Sequence, residues 1–151
     1  AVKVLRALEG ATDETRQRRI EVIGSDLLVK SLGDLGIVQR IEVPHQLGAC
    51  NSGTSYLIVD ERELESGAWA GTLTSQSTTR FLSLSEHIRK AKARGVVVVV
   101  VKAPQQDHFS NELRQMAMVL FEGTEPNWEW EDDVYFPVLK VLTSVLRGEE
   151  G

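Results

Sequence analysis

The stretch His87-Ile-Arg-Lys-Ala-Lys-Ala-Arg-Gly-Val-Val-Val-Val-Val-Val-Lys-Ala-Pro104 decides the fold class. Six β-branched residues with no polar alternation leave no face for water. The run therefore reads as an inner strand of a sheet covered by helices on both sides. Ahead of it, Phe81, Leu84, Ile88 and Ala91 trace one stripe of a helix. The last turn of that helix carries Arg89, Lys90, Lys92 and Arg94, which suit the negative end of the dipole, and Gly95 is the expected stop. Tyr56-Leu-Ile-Val-Asp60 is a second buried strand by the same logic. Strand, helix and strand from Tyr56 to Val101 form a parallel βαβ unit, right-handed on general grounds. Such sheets place ligand sites beyond the carboxyl ends of their strands, here at Lys102 and the residues after it.

Working outward, Ile20, Ile23, Leu27, Leu28, Leu32 and Leu35 recur at helical spacing, which predicts a helix started by Thr12 or Asp13 and stopped by Gly36. Val2 to Leu8 reads equally as an opening strand or a helical turn. Ile37 to Val43 reads as a strand ended by Pro44, Gly48 to Ser55 as a loop of small residues, and Glu61 to Ser77 as an irregular connection. Beyond Pro104, Asp107 or Ser110 is expected to cap a short helix, and Met118 to Phe121 to form a fifth strand. A final helix carries Tyr135, Val138, Leu139, Leu142, Val145 and Leu146 on its apolar side, with Pro137 in its first turn.

The chain has 151 residues, 26% charged and 42% hydrophobic, with a formal charge of -5. This is the balance of one globular domain, 1–151, and the opening Ala1-Val-Lys-Val reads as a cut from something longer. An acidic total argues against nucleic acid as a partner. No run approaches the roughly 18 apolar residues of a membrane span, so no membrane partner is expected. A single cysteine, Cys50, excludes an internal disulfide and fits a cytoplasmic location. No phosphate loop, dinucleotide fingerprint, zinc-binding His-Glu-x-x-His or nucleophile elbow occurs, so no metal and no cofactor are expected.

The pair Asp60-Glu61 ends one buried strand and Lys102 the next. An acid and a base could thus face each other as in a phosphoacceptor site. Such a site needs a further strand between them, so the simpler reading is a charge pair kept in water at strand ends. The stronger candidate is Asp107-His-Phe-Ser110, which offers a carboxylate, an imidazole and an aromatic face just past the valine strand. Against it stands plain capping, with Phe109 as a staple and His108 solvated. Trp69, within Gly67-Ala-Trp-Ala-Gly71, could stack on a sugar or cover the sheet edge. Trp128 and Trp130 stand in the stretch Glu122 to Asp133, which holds six acids and no base.

Trp69-Ala-Gly71, the helix Thr74 to Arg94, Gly95 with its valine strand and Asp107-His-Phe109 together resemble a stretch of bacterial two-Rossmann-domain glycosyltransferases of the spore-maturation group. The resemblance covers Leu57 to Phe121. It implies a Rossmann-like three-layer sandwich with a mostly parallel sheet of four or five strands, corresponding to the amino-terminal, acceptor-side half and not catalytic by itself. Asp107 and His108 would then be the catalytic candidates, and Trp69, Gly71, Lys102 and Phe109 would bind a carbohydrate or nucleotide-sugar. The family's Lys/Glu-Asp-Pro before His-Phe is rearranged here to Lys102-Ala-Pro-Gln-Gln-Asp107. The alternative is a non-enzymatic protein-interaction or signalling module whose contact surface holds Trp128, Glu129, Trp130 and Asp132.

Overall fold

The computed structural model describes residues 18–48, 53–121 and 142. Five strands, β1 (Arg18–Ile23), β2 (Gly36–Arg40), β3 (Thr54–Asp60), β4 (Val97–Val101) and β5 (Val119–Phe121), form one sheet in the order β2-β1-β3-β4-β5. Every pairing is parallel. Helices α1 (Asp26–Leu32), α2 (Thr78–Ala93) and α3 (Ser110–Met116) complete an α/β doubly wound, Rossmann-like architecture. Among the described residues, no helix is long and apolar enough to cross a membrane.

The valine strand is an inner strand, flanked by β3 and β5 and buried along its whole length. Its side chains alternate between two cores. Val97, Val99 and Val101 join Tyr56, Ile58, Leu28, Leu32, Phe121 and Leu142 on one face. Val96, Val98 and Val100 join Leu57, Val59, Phe81, Leu84, Ile88 and Leu113 on the other. The period of two in a strand thus supplies both layers from one homopolymeric run. Gly95 leaves α2 at φ +84°, the left-handed conformation expected of a helix stop.

The single helix expected around Ile20 to Leu35 is instead a strand followed by a helix. Ile20, Val22 and Ile23 lie in β1, which pairs with both β2 and β3. The break falls at Gly24-Ser25, where the Ser25 hydroxyl accepts the Leu28 N–H at 3.2 Å and starts α1. A side chain at Gly24 would meet Leu28 Cδ2 at 2.8 Å. Leu28 and Leu32 face the core, whereas Leu27 is 46% exposed. The helix is capped by Gly33, and Gly36 opens β2 rather than stopping a helix. β2 ends at Arg40, before Pro44, and Ile41 N–H still donates to the Val22 carbonyl at 2.8 Å. The expected strand at Met118 to Phe121 is β5. Thr12, Asp13, the segment 2–8, Cys50 and the final helix, apart from Leu142, lie outside the described residues.

Truncating Val99 to alanine removes two methyl groups from a fully buried layer. It should lower stability by about 2–3 kcal/mol in urea denaturation. Gly95→Ala should cost about 1–2 kcal/mol through its left-handed backbone alone.

Candidate functional site

In the order 2-1-3-4-5 the crossovers change direction between β1 and β3, and ligands of such sheets lie beyond the carboxyl ends at that switch. Here β1 delivers Gly24-Ser25-Asp26, β2 delivers Arg40 and β3 delivers Asp60-Glu61. Arg40 donates to Glu63 at 3.1 Å and to Asp26. Burial works against the charge of Arg40, but its hydrogen bonds and attraction to Glu63 and Asp26 outweigh this and raise its pKa. Ser25 is turned to its own helix as a cap.

Asp60 and Glu61 are not a solvated pair facing Lys102. They are only 3% and 1% exposed, and each carboxylate has its own arginine. Asp60 Oδ1 accepts the Arg62 backbone N–H at 3.0 Å, and Oδ2 accepts Arg62 Nη2 at 3.1 Å. Glu61 forms a fork with Arg114 of α3, Nε to Oε2 at 2.8 Å and Nη2 to Oε1 at 2.7 Å. Oε1 also accepts the Ala103 N–H at 3.0 Å, while Arg114 Nη2 donates to the Ala103 carbonyl at 3.2 Å. The fork therefore joins the end of β3, the exit of β4 and α3. A carboxylate removed from water is held only by such a saturated set of donors.

Past β4, Lys102 is half-buried and its N–H donates to the Phe121 carbonyl at 2.8 Å. Asp107 is half-buried and His108 is exposed. Neither expected cap operates. The residue at the N-cap of α3 is Phe109, and the Ser110 hydroxyl reaches backward to accept the Asp107 N–H at 2.8 Å. Phe109 stacks on Phe81 with ring centroids 4.3 Å apart, and His108 meets the edge of Phe109 at 4.5 Å. The Phe109 N–H also donates to the Leu73 carbonyl at 2.8 Å, so this turn is fastened to the connection that holds Trp69 and Gly71.

Trp69 cannot be a sugar platform in this arrangement, because it is 2% exposed and packs in the core with Leu64, Leu73 and Phe81. Gly71 serves the turn, at φ +82°, with its carbonyl accepting from Thr74. Trp128, Glu129, Trp130 and Asp132 lie outside the described residues. Among the described residues, no group of three or more His, Cys, Asp or Glu side chains is placed to hold a metal ion.

The groups that shape this edge most, Arg40, Arg62 and Arg114, escape a reading confined to strand ends. Two more were missed at mid-strand and mid-helix, Glu21 and His87, both buried and paired. Each carries a legible signal in hindsight. Glu21 is a charge inside Ile20-Val22-Ile23, and His87 falls on the Leu84 to Ala91 stripe. No family model matches the chain, and no curated protein matches it.

Arg114→Met strands the Glu61 carboxylate in the interior and should cost about 3–5 kcal/mol, whereas the double change with Glu61→Leu should cost less than that single one. At Glu65, partial burial and then the charges of Asp107, Asp60 and Glu61 push the carboxyl above its ordinary 4.5, with Arg62 partly offsetting them. The folded state then holds that proton more tightly than the unfolded chain. Stability falls as pH rises from the ordinary value through the raised one. Glu65→Gln should stabilise the protein at pH 7 by no more than about 0.5 kcal/mol, since the residue is exposed and screened, and the gain should vanish in acid.

Proposed function

We propose that this chain is a non-enzymatic interaction or signalling module built on a doubly wound sheet. The observation that carries the reading is the mutual pairing of the charges that the 24–26 turn, β2 and the end of β3 bring to the carboxyl edge. Arg40 is bound to Asp26 and Glu63, Arg62 to Asp60, and Arg114 to Glu61. Groups poised for a substrate keep a lone pair, a proton or a positive charge turned outward. Here the charges at the switch point are paired with one another, and only the Arg40 Nε donor is buried without a partner among the described residues.

The reading as the acceptor half of a glycosyltransferase rests on Asp107, His108 and Trp69. With Trp69 buried and His108 set against Phe109, Trp69 offers that reading no open aromatic face. Interaction is better served by the acidic, tryptophan-bearing stretch 122–133, whose composition favours a basic, partly aromatic protein surface.

Two measurements test this together. Ligand at a hundred times its Kd stabilises a fold by about 2.7 kcal/mol, which raises the melting temperature by several degrees. Nucleotides and nucleotide-sugars at millimolar concentration should leave the melting temperature unchanged, and a clear rise with any of them would overturn the proposal. Reversing Glu129, Glu131 and Asp132 to lysine should abolish binding to a protein partner captured by the wild type, with the circular dichroism spectrum intact. Retained binding counts against the acidic stretch as the contact surface.

A further inference from the structure

A second buried polar network lies away from the carboxyl edge, between β1 and α2. Glu21, in the middle of β1, meets His87 of α2 with Oε1 2.9 Å from Nε2, and its Oε2 accepts the Thr54 hydroxyl at 3.1 Å. His87 is 0% exposed and Glu21 3%. The other ring nitrogen, Nδ1, accepts the Gly48 backbone N–H at 2.8 Å. An amide N–H can only donate, so Nδ1 carries a lone pair and the ring proton sits on Nε2, aimed at the carboxylate. The imidazole is neutral, with each nitrogen committed to a different element.

Gly48 belongs to a segment, 41–48, that leaves β2 with only a short 3₁₀ turn, Pro44–Gln46, where crossovers of such sheets usually carry an α-helix. Pro44, Leu47 and Gly48 form one side of a groove of about 370 Å³, and Thr79, Leu82 and Glu86 of α2 form the other. His87 lies between the two sides, and its bond to Gly48 spans them.

We propose that His87 is a proton-operated latch on the 44–48 segment. A second proton can enter the ring only at Nδ1, which then presents an N–H to the N–H of Gly48. Two donors cannot share that position, so Gly48 must move away. The Nε2 proton still faces Glu21, so the tie between α2 and β1 survives. Protonation thus releases one wall of the groove and leaves the sheet in place. Among the described residues, the charged groups on the elements packed against the ring include Glu21 on β1, Glu86 on α2 beside the groove, Arg19 two residues from Glu21 on the same face of β1, and the exposed His45 on the segment itself. This latch does not depend on the interaction module proposed above.

The test follows the His87 ring nitrogens by NMR, together with amide hydrogen exchange, on the whole chain between pH 8 and about pH 5. At the upper end, Nδ1 should be unprotonated and Nε2 protonated. As the ring becomes charged, the Gly48 protection factor should fall at least about tenfold, while that of Val98 in β4 stays within about twofold. His87→Gln offers Glu21 a donor and Gly48 an acceptor but cannot take a second proton, so protection at Gly48 should lose its pH dependence. A ring that stays neutral throughout overturns the latch. So does Gly48 protection that is indifferent to the charge, or a pH dependence that persists in His87→Gln. If the variant does not fold, the wild-type measurements decide alone.

Discussion

Dry burial of two adjacent strands on both faces is the constraint on which the remaining structure depends. From Tyr56 through Asp60 and along all of Val97–Val101, no side chain reaches water. Such strands are stable only between two apolar layers, and the chain supplies them unequally. One is built around α2 and α3, with Trp69 and Leu73 filling its end, and the other around α1 with Phe121 and Leu142. Trp69 belongs to this covering and is unavailable for ligands because the top of β3 and β4 needs it.

Charge inside so apolar a frame requires a partner at every point. Glu61 is held by three donors, Asp60 by its neighbour's guanidinium and amide, and Glu21 by a histidine and a threonine. These pairs give geometry more than they give net energy, because desolvation offsets most of the attraction. Their value lies in direction. Glu61 fixes where α3 meets β4, and Glu21 fixes the rotation of α2 about its axis through His87.

The valine run, the α2 stripe, Gly95 and the strand 56–60 were legible in the sequence because each depends on local pattern and solvent exclusion. β1 was not. Its apolar residues continue into those of α1 at spacings a single helix would also give, and Glu21 interrupts the strand signal. Only pairing with β2 and β3 on either side resolves the ambiguity. The candidate site was legible in position alone. That the carboxyl edge matters is a consequence of strand direction, but the pairing of Glu61 with Arg114, far apart in the chain, is a tertiary fact with no local trace. The capping at Asp107 and Ser110 failed for a smaller reason, since a serine inside the first turn can bond backward as readily as a cap bonds forward.

The place of β1 between β2 and β3 has a consequence for how the molecule is made. Its Ile20 lies beside Val38 on one flank and Tyr56 on the other, and Tyr56 in turn lies beside Val97. During synthesis β1 therefore emerges before its second neighbour, β3, and that neighbour waits in turn for the valines. Until then β1 keeps one edge unpaired, the edge that β3 takes, and an unshielded carboxylate at Glu21. Assembly of the described sheet is thus ordered by strands that emerge after β1, and β1 is open to mispairing or capture by chaperones for longer than the more apolar β4.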